Sequence, residues 1–232
     1  MKKWKIVAII IVGVMTLVGN PAYAKQNSKK NELTSYSVVH ALPSGYGADL
    51  VDVYVNGKLL IDNATPGSVK SFLVPKGSYS VQFYADGVSP ISAINPLLTA
   101  STVYLSKGNN YSFVAHLNEI EKPMISIFKN KVTSGGNKRS WITFRHIAAA
   151  PAIQLKLDDA STFIPLTNGL ERKKSLIQNK SYLVNGVYSD TGVPALTPLS
   201  VVNSKNSNTV IYIWGAKSKG NLGILKETIP TK

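Results

Sequence analysis

Cysteine is absent from the 232 residues of this chain. Its absence excludes a disulfide framework, a thiolate zinc site, a thiol nucleophile and a lipid-modified cysteine at the amino terminus. Acidic residues are scarce, because 12 Asp and Glu stand against 26 Lys and Arg and give a formal charge of +14. The apolar fraction of 44% and the charged fraction of 16% are those of a folded protein, not of a disordered basic tail.

Common catalytic signatures are also missing. The sequence contains no Gly-x-Ser-x-Gly elbow, no His-Glu-x-x-His zinc motif and no phosphate-binding loop. Its three histidines, His40, His116 and His146, are too far apart in sequence to form a local metal motif. We therefore predict a protein without catalytic residues, a metal or a cofactor. An enzyme with its site built from loops at a domain junction is a competing class.

The first 24 residues have the pattern of a bacterial export signal. Three lysines at positions 2, 3 and 5 precede an apolar run over residues 6–19, and residues 22–24 (AYA) match a small-x-small cleavage site. Cleavage would leave 23 basic and 12 acidic residues and a charge of +11. We predict a secreted or cell-envelope protein with no membrane span after cleavage, and a flexible lead over residues 25–34.

The segments that follow are predicted to be strands. Residues 51–57 (VDVYVNG) alternate apolar and polar side chains and end in Asn-Gly, the dipeptide of a two-residue hairpin turn. Residues 79–83 and 111–115 alternate in the same way, and no amphipathic helical pattern appears. These patterns predict an all-β protein.

The strand pattern recurs about one hundred residues later. His40 matches His146, residues 51–57 match residues 153–159, and Pro66-Gly67 matches Asn168-Gly169. We predict two tandem immunoglobulin-like antiparallel β-sandwich domains, at residues 35–132 and 141–232. Residues 133–140, with a Gly pair at 135–136, are the predicted linker and would allow two orientations. Closed barrels are the structural alternative.

Three motifs of the first repeat resemble a known family. Residues 39–43 (VHALP), 51–57 (VDVYVNG) and 75–81 (PKGSYSV) are similar to the bacterial Domain of Unknown Function 4397 family of exported, often tandem β-domains. Residues 44–49 (SGYGAD) form a longer connecting segment than the family has at this point. The second repeat keeps His146 but does not keep the VDVYV sequence. The resemblance implies a β-fold and an extracellular setting, and it carries over no catalytic residue.

The histidines have structural interpretations. His40 and His146 occupy equivalent positions, so each ring is expected to hydrogen-bond to a neighbouring turn. His116 alternates with buried positions and is expected to face solvent or a sheet edge.

The acidic residues have structural interpretations too. Asp158-Asp159 fits a hairpin turn. Calcium binding by Asp49, Asp52 and Asp62 lacks the spacing of a known loop, and the Glu119 and Glu121 pair lacks a supporting cluster for glycoside cleavage.

The basic excess is concentrated in the second repeat. Residues 35–132 carry a net charge of +1, whereas residues 141–232 carry +6. We predict that the second domain binds an anionic envelope polymer through a salt-screened field. Lysines that merely keep the protein soluble are the alternative interpretation, and an extracellular protein partner is a further one. Nucleic acid is not expected, and the oligomeric state is left open. The candidate binding residues are Lys138, Arg139, Arg172, Lys173, Lys174, Lys217 and Lys219.

Overall fold

A computed structural model describes residues 33–92, 94–158 and 161–231, and within these ranges the chain is built from strands and one 3₁₀ turn. The predicted signal peptide, and the flexible lead up to residue 32, lie outside the described residues. The lead was predicted to extend to residue 34, but the first strand already begins at Leu33.

Ten strands belong to the first repeat. They are β1 (Leu33–His40), β2 (Val51–Val55), β3 (Lys58–Ala64), β4 (Ser68–Pro75), β5 (Gly77–Tyr79), β6 (Val81–Ala85), β7 (Leu98–Thr99), β8 (Val103–Leu105), β9 (Asn110–Leu117) and β10 (Pro123–Asn130).

Eight strands belong to the second repeat. They are β11 (Arg139–His146), β12 (Ile153–Leu157), β13 (Ser161–Thr162), β14 (Glu171–Ile177), β15 (Ser181–Tyr188), β16 (Leu199–Val202), β17 (Ser207–Trp214) and β18 (Gly223–Pro230). The 3₁₀ turn is Lys217–Lys219.

Each repeat is a sandwich of two four-stranded sheets. The sheets run β10-β9-β1-β4 and β3-β2-β6-β7 in the first repeat, with a small β5-β8 ladder, and β14-β11-β17-β18 and β13-β12-β15-β16 in the second. Apolar side chains from both sheets fill each sandwich, such as Phe113 with Phe83 and Phe144 with Leu155. The predicted all-β sandwich fold is confirmed. The predicted pairing was purely antiparallel, but β1 runs parallel to β9 and β11 parallel to β17.

Equivalent residues of the two repeats make equivalent contacts. The N–H of Gly67 donates to the carbonyl of His40, and the N–H of Gly169 donates to the carbonyl of His146, both at 2.7 Å. The hairpin residues Asn56 and Asp158 both adopt a positive φ, at 49° and 47°. Glycine, Asn and Asp tolerate this left-handed conformation, which explains why the repeat keeps these residue types at its turns.

The two repeats also share a core. The sheet containing β1 and the sheet containing β11 bury apolar side chains in one cluster, the central interface, which includes Val39, Val114, Ile147, Tyr212 and Ile229. The chain from Glu32 to Lys232 accordingly forms a single compact unit. Because this interface is buried, we expect one fixed arrangement of the repeats and not the two orientations predicted from the linker. The domain boundaries themselves stay a prediction.

Candidate functional site

The seven basic residues predicted to bind a polymer do not form one patch. Lys138 and Arg139 lie at the start of β11, whereas the Lys217 N–H donates to the carbonyl of Ala149, just beyond the end of that strand. An eight-residue strand spans roughly 25 Å, so Lys217 and Lys219 lie at the opposite end of the second sandwich from Lys138 and Arg139.

The central run of that prediction is divided between two faces of β14. Neighbouring side chains of a strand point to opposite faces. Arg172 and Lys174 are therefore on one face, where the Lys174 ammonium lies 5.4 Å from the centre of the Phe163 ring. Lys173 is on the other face, with its Nζ 2.5 Å from Oε1 of Glu171. Arg172, Lys173 and Lys174 therefore do not present three cations on one face.

A different set of residues forms the basic end of the molecule. Three loops, residues 131–138, 178–180 and 203–206, are joined by backbone hydrogen bonds. The N–H of Gln178 donates to the carbonyl of Lys138, and the N–H of Asn203 donates to that of Lys180. Sequence reasoning found only two of the five basic side chains that are exposed on this surface. We call the following residues the basic end: Lys131, Lys138, Arg139, Lys180 and Lys205.

Buried amides support the basic end from beneath. Asn203 is fully buried, and its Nδ2 donates to the carbonyl of Leu176 at 2.9 Å and to that of Ser140 at 3.2 Å. The Nδ2 of Asn208 donates to the carbonyls of Lys131 and Thr133, at 2.9 and 3.0 Å. These amides attach loops 203–206 and 131–138 to the ends of the strands, and the Asn179 N–H, which donates to the carbonyl of Asn203, joins the third loop to them. None of the three loops contains Asp or Glu, so no ion pair forms within these loops.

A buried arginine, which the sequence analysis did not single out, crosses the central interface. Arg145 is fully buried, and its Nε lies 2.8 Å from Oε2 of Glu171. Its other guanidinium nitrogens donate to the Tyr212 hydroxyl at 3.0 Å and to Oδ1 of Asn130 in the first repeat at 2.6 Å. Burial pushes the pKa of Glu171 upward, but Arg145 and Lys173 outweigh this effect and lower the pKa below its usual value. One sequence signal pointed to Arg145, because a valine occupies the matching position of the first repeat.

The polar network continues from Arg145 across the interface. The Tyr212 hydroxyl donates to Oε2 of Glu227 at 2.5 Å, and the Ser112 hydroxyl donates to the same oxygen at 3.0 Å. Burial and the neighbouring Glu227 carboxylate raise the pKa of Tyr212. The other carboxylate oxygen of Glu227, Oε1, is buried and has no hydrogen-bond partner.

The structure supports two of the three histidine predictions and corrects the third. The Nε2 atoms of His40 and His146 lie 2.7 and 3.1 Å from the carbonyls of Ala48 and Pro151, as expected for turn contacts. His116 was predicted to face solvent or an edge, which is wrong, because it is fully buried. The alternation along β9 was right, but its second face packs against the other repeat and not against water. Burial lowers the pKa of all three rings.

Three carboxylates of the first repeat could hold a metal ion. Asp52, Asp62 and Asp86 place carboxylate oxygens within 4.8 Å of one another. Asp49, which the sequence analysis weighed with Asp52 and Asp62 without predicting a metal site, is not in this group, and its Oδ1 accepts a hydrogen bond from the Gly45 N–H. Both oxygens of Asp52 accept backbone N–H groups, from Asn63 and Gly87, which gives this buried side chain a structural role.

Glu119 and Glu121 line a cleft of about 640 Å³ that also includes Lys217 and Asn168. The cleft is the junction site that an enzyme would use. Hydrogen bonds from Ser218 and Tyr46 lower the pKa of Glu121, and the Tyr46 hydroxyl lies 2.6 Å from its Oε2. Among the described residues that line it there is no histidine to act as a base.

Comparisons with known proteins give a family but no activity. The family model for a domain of unknown function, DUF4397, matches residues 35–156. No curated protein matches the chain. In the described part of the chain, no helix is long and apolar enough to span a membrane.

Two solved structures are similar at a low level. A family 26 carbohydrate-binding module from Eubacterium rectale Amy13K, in complex with maltoheptaose, is 12% identical with a TM-score of 0.28, and the match covers 86% of this chain and 98% of that one. The Bacillus anthracis TIE protein is 10% identical with a TM-score of 0.24, and the match covers 78% of this chain and 33% of that one. Scores this low support no inference about a ligand.

Proposed function

Because the chain belongs to the DUF4397 family of domains of unknown function, its role has to be inferred from its own residues, and we propose that it is an exported, non-enzymatic protein that binds an anionic polymer of the cell envelope. The binding surface in this proposal is the basic end. Export and an extracellular location rest on the signal-peptide pattern of residues 1–24.

One observation carries the proposal: four exposed lysines on three loops that are hydrogen-bonded to one another, together with Arg139 at the start of β11, form a surface whose loops contain no acidic residue. A single exposed ion pair contributes only about 0–1 kcal/mol, so affinity from such a surface needs several simultaneous contacts. A polymer with regularly spaced phosphates or carboxylates supplies them, whereas a small anion does not.

The loops are also prearranged for this task. The Asn203 side chain anchors loop 203–206 to β14, the Asn208 side chain holds loop 131–138, and loop 178–180 is held to Asn203 by backbone hydrogen bonds. A polymer therefore meets a surface whose loop backbone needs little further ordering, which reduces the entropic cost of binding. Two of the lysine side chains lie over aromatic rings, with the ammonium of Lys131 5.5 Å from the centre of the Trp141 ring and that of Lys180 5.0 Å from the centre of the Tyr182 ring.

The remaining predicted residues contribute less in this account. Glu171 accompanies Lys173, and Lys217 and Lys219 are at the other end of the sandwich. They add to the general positive potential, which steers an anionic partner toward the protein. They do not contact the same stretch of polymer as the basic end.

The direct test is binding of the mature protein to poly(glycerol phosphate) in 50 mM salt, measured by calorimetry. One variant replaces all five residues of the basic end with Gln. A matched control replaces five other exposed lysines, which are Lys58, Lys70, Lys122, Lys219 and Lys226. Both variants lose the same net charge, so only location differs.

We expect the basic-end variant to bind at least tenfold more weakly than the control variant. Equal losses in the two variants would show that the net charge, and not the basic end, attracts the polymer. Full affinity in both variants would show that neither set of cations carries the binding, and no binding by the unmodified protein would remove anionic-polymer binding from the account.

A further inference from the structure

A second cleft lies on one side of the central interface, between strands β4 and β18. Its volume is about 520 Å³. Leu73 and Ile229 give it apolar walls, and the hydroxyls of Ser37 and Ser71, 2.8 Å apart, form a polar strip. We call it the β4–β18 cleft. It shares no lining residue with the cleft of Glu119 and Glu121, and it borders the basic end, because Val132, next to Lys131, is among its lining residues.

Glu227 forms part of the inner wall of this cleft and is only 2% exposed. Its Oε2 accepts two hydrogen bonds, from Tyr212 and Ser112, whereas its Oε1 has none. A buried carboxylate oxygen without a donor is costly, and such groups in proteins are almost always satisfied by some partner. This unpartnered oxygen marks the cleft as a site for a hydrogen-bond donor.

The repeat symmetry indicates which kind of donor fits. Strand registers make Val39 of β1 the counterpart of Arg145 of β11, because His40 matches His146. The same registers pair Phe128 of β10 with Ser112 and Glu227 of β18 with Val210. Because Ser112 and Val210 are equivalent positions of the two repeats, Phe128 is the counterpart of Glu227.

The two sides of the central interface are therefore filled differently. On one side the Arg145 guanidinium lies 4.3 Å from the centre of the Phe128 ring. On the other side the position of the arginine is taken by the shorter Val39, and a carboxylate replaces the ring. The protein supplies a cation on the first side and leaves a cleft with a carboxylate on the second.

We propose that the β4–β18 cleft binds the guanidinium or ammonium group of a ligand with an aliphatic body. Oε1 of Glu227 accepts an N–H from this group in a charge-assisted hydrogen bond, the stronger class of such bonds. Leu73 and Ile229 pack against the aliphatic part, and the serine hydroxyls accept further N–H donors. This site is independent of the proposed polymer binding, since it takes a cation and not an anion.

The test uses n-butylguanidinium as probe and n-butylurea as its neutral isostere, with binding followed by amide NMR shifts. We expect millimolar binding of the cation, with shifts in β4 and β18, and at least tenfold weaker binding of the urea. In Glu227→Gln the affinity for the cation falls at least tenfold. Equal binding of the two probes, or unchanged affinity in Glu227→Gln, would overturn the proposal.

A second variant keeps the test decisive if Glu227→Gln fails to fold. Ser71 lies on the exposed edge strand β4, so Ser71→Arg can supply a guanidinium to the cleft from within the chain. We expect Ser71→Arg to abolish probe binding and to raise the melting temperature by about 3 °C. The control Ser71→Gln should keep probe binding and change the melting temperature by less than this. Undiminished probe binding in Ser71→Arg would contradict the assignment.

Discussion

Arg145 of β11 and Glu171 of β14 form an ion pair of 2.8 Å across neighbouring strands, and the arginine side chain is completely buried. The same guanidinium donates to Asn130 in the first repeat. A buried ion pair adds little net stability compared with a well-packed apolar pair, but loss of one partner leaves an uncompensated charge. The contact that Arg145 makes between the two repeats is therefore stabilising only while Glu171 compensates its charge.

Removal of the Glu171 charge tests this relationship. We expect Glu171→Gln to lower the free energy of unfolding by about 3 kcal/mol, because Arg145 stays buried without its counter-charge. Urea denaturation of the mature protein measures the change. Lys173→Gln is the matched control and should cost less than about 1 kcal/mol, since Lys173 is partly exposed. A similar, small loss in both variants would show that Arg145 does not need Glu171.

The shared core predicts that the repeats depend on each other. A chain limited to residues 133–232 would expose the apolar face of Ile147, Tyr212 and Ile229, and Arg145 would lose Asn130. We expect it to aggregate or to unfold without a cooperative transition, while residues 25–232 give one sharp transition in calorimetry. Two separate transitions in the full chain would instead support the two independent domains predicted from the sequence.

The buried histidines predict loss of stability in mild acid. Burial lowers the pKa of His40, His116 and His146 in the folded state, so the unfolded chain binds protons first as the pH falls. Their contribution is complete above the unfolded value of about 6.5 and is lost below it, by up to about 1.4 kcal/mol per histidine for each pH unit.

Unfolding free energies at pH 7.5 and pH 5.5 measure this effect. We expect a clear decrease at the lower pH and a smaller decrease in His116→Asn, which cannot be protonated. Glu171 has a lowered pKa, so its contribution to the unfolding free energy is lost only at lower pH, near and below the ordinary carboxyl range. Equal stability at the two pH values would contradict the burial of neutral rings.

Two glycines with positive φ allow the backbone cost of a Gly→Ala substitution to be measured apart from the cost of a steric clash of the new Cβ. A Cβ at Gly215 would lie within 3 Å of the Asn221 carbonyl oxygen, whereas a Cβ at Gly169 would meet nothing within 4 Å. We expect Gly169→Ala to cost about 1 kcal/mol through the left-handed backbone alone, and Gly215→Ala to cost at least about 3 kcal/mol. Thermal unfolding compares the two, and equal costs would argue against the close approach of Asn221.

Local patterns in the sequence predicted much of the fold. The alternation of residues 51–57 and the His40 and His146 match identified strands, turns and the repeat, because these depend on side-chain period and on turn residues. The parallel pairing of β1 with β9 depends on contacts between distant segments, which no local pattern contains.

The sites were harder to predict than the strands. Lys180 and Lys205 join Lys138 only because three separate loops meet at one end of a sandwich. His116 was misassigned because alternation shows that a strand has two faces but not that both are covered. Arg145 and Glu227 escaped notice for the same reason, since their burial comes from the packing of one repeat on the other.

The salt dependence of polymer binding tests the central claim most directly. Affinity for poly(glycerol phosphate) would be measured between 50 and 200 mM NaCl for the mature protein and for the basic-end variant. If five cations displace counterions, the logarithm of affinity should fall with the logarithm of salt with a slope of about −3.5, roughly a hundredfold over this range. We expect the variant to lose most of that slope. An affinity that does not change with salt concentration, or a slope that is unchanged in the variant without the five cations, would contradict the account.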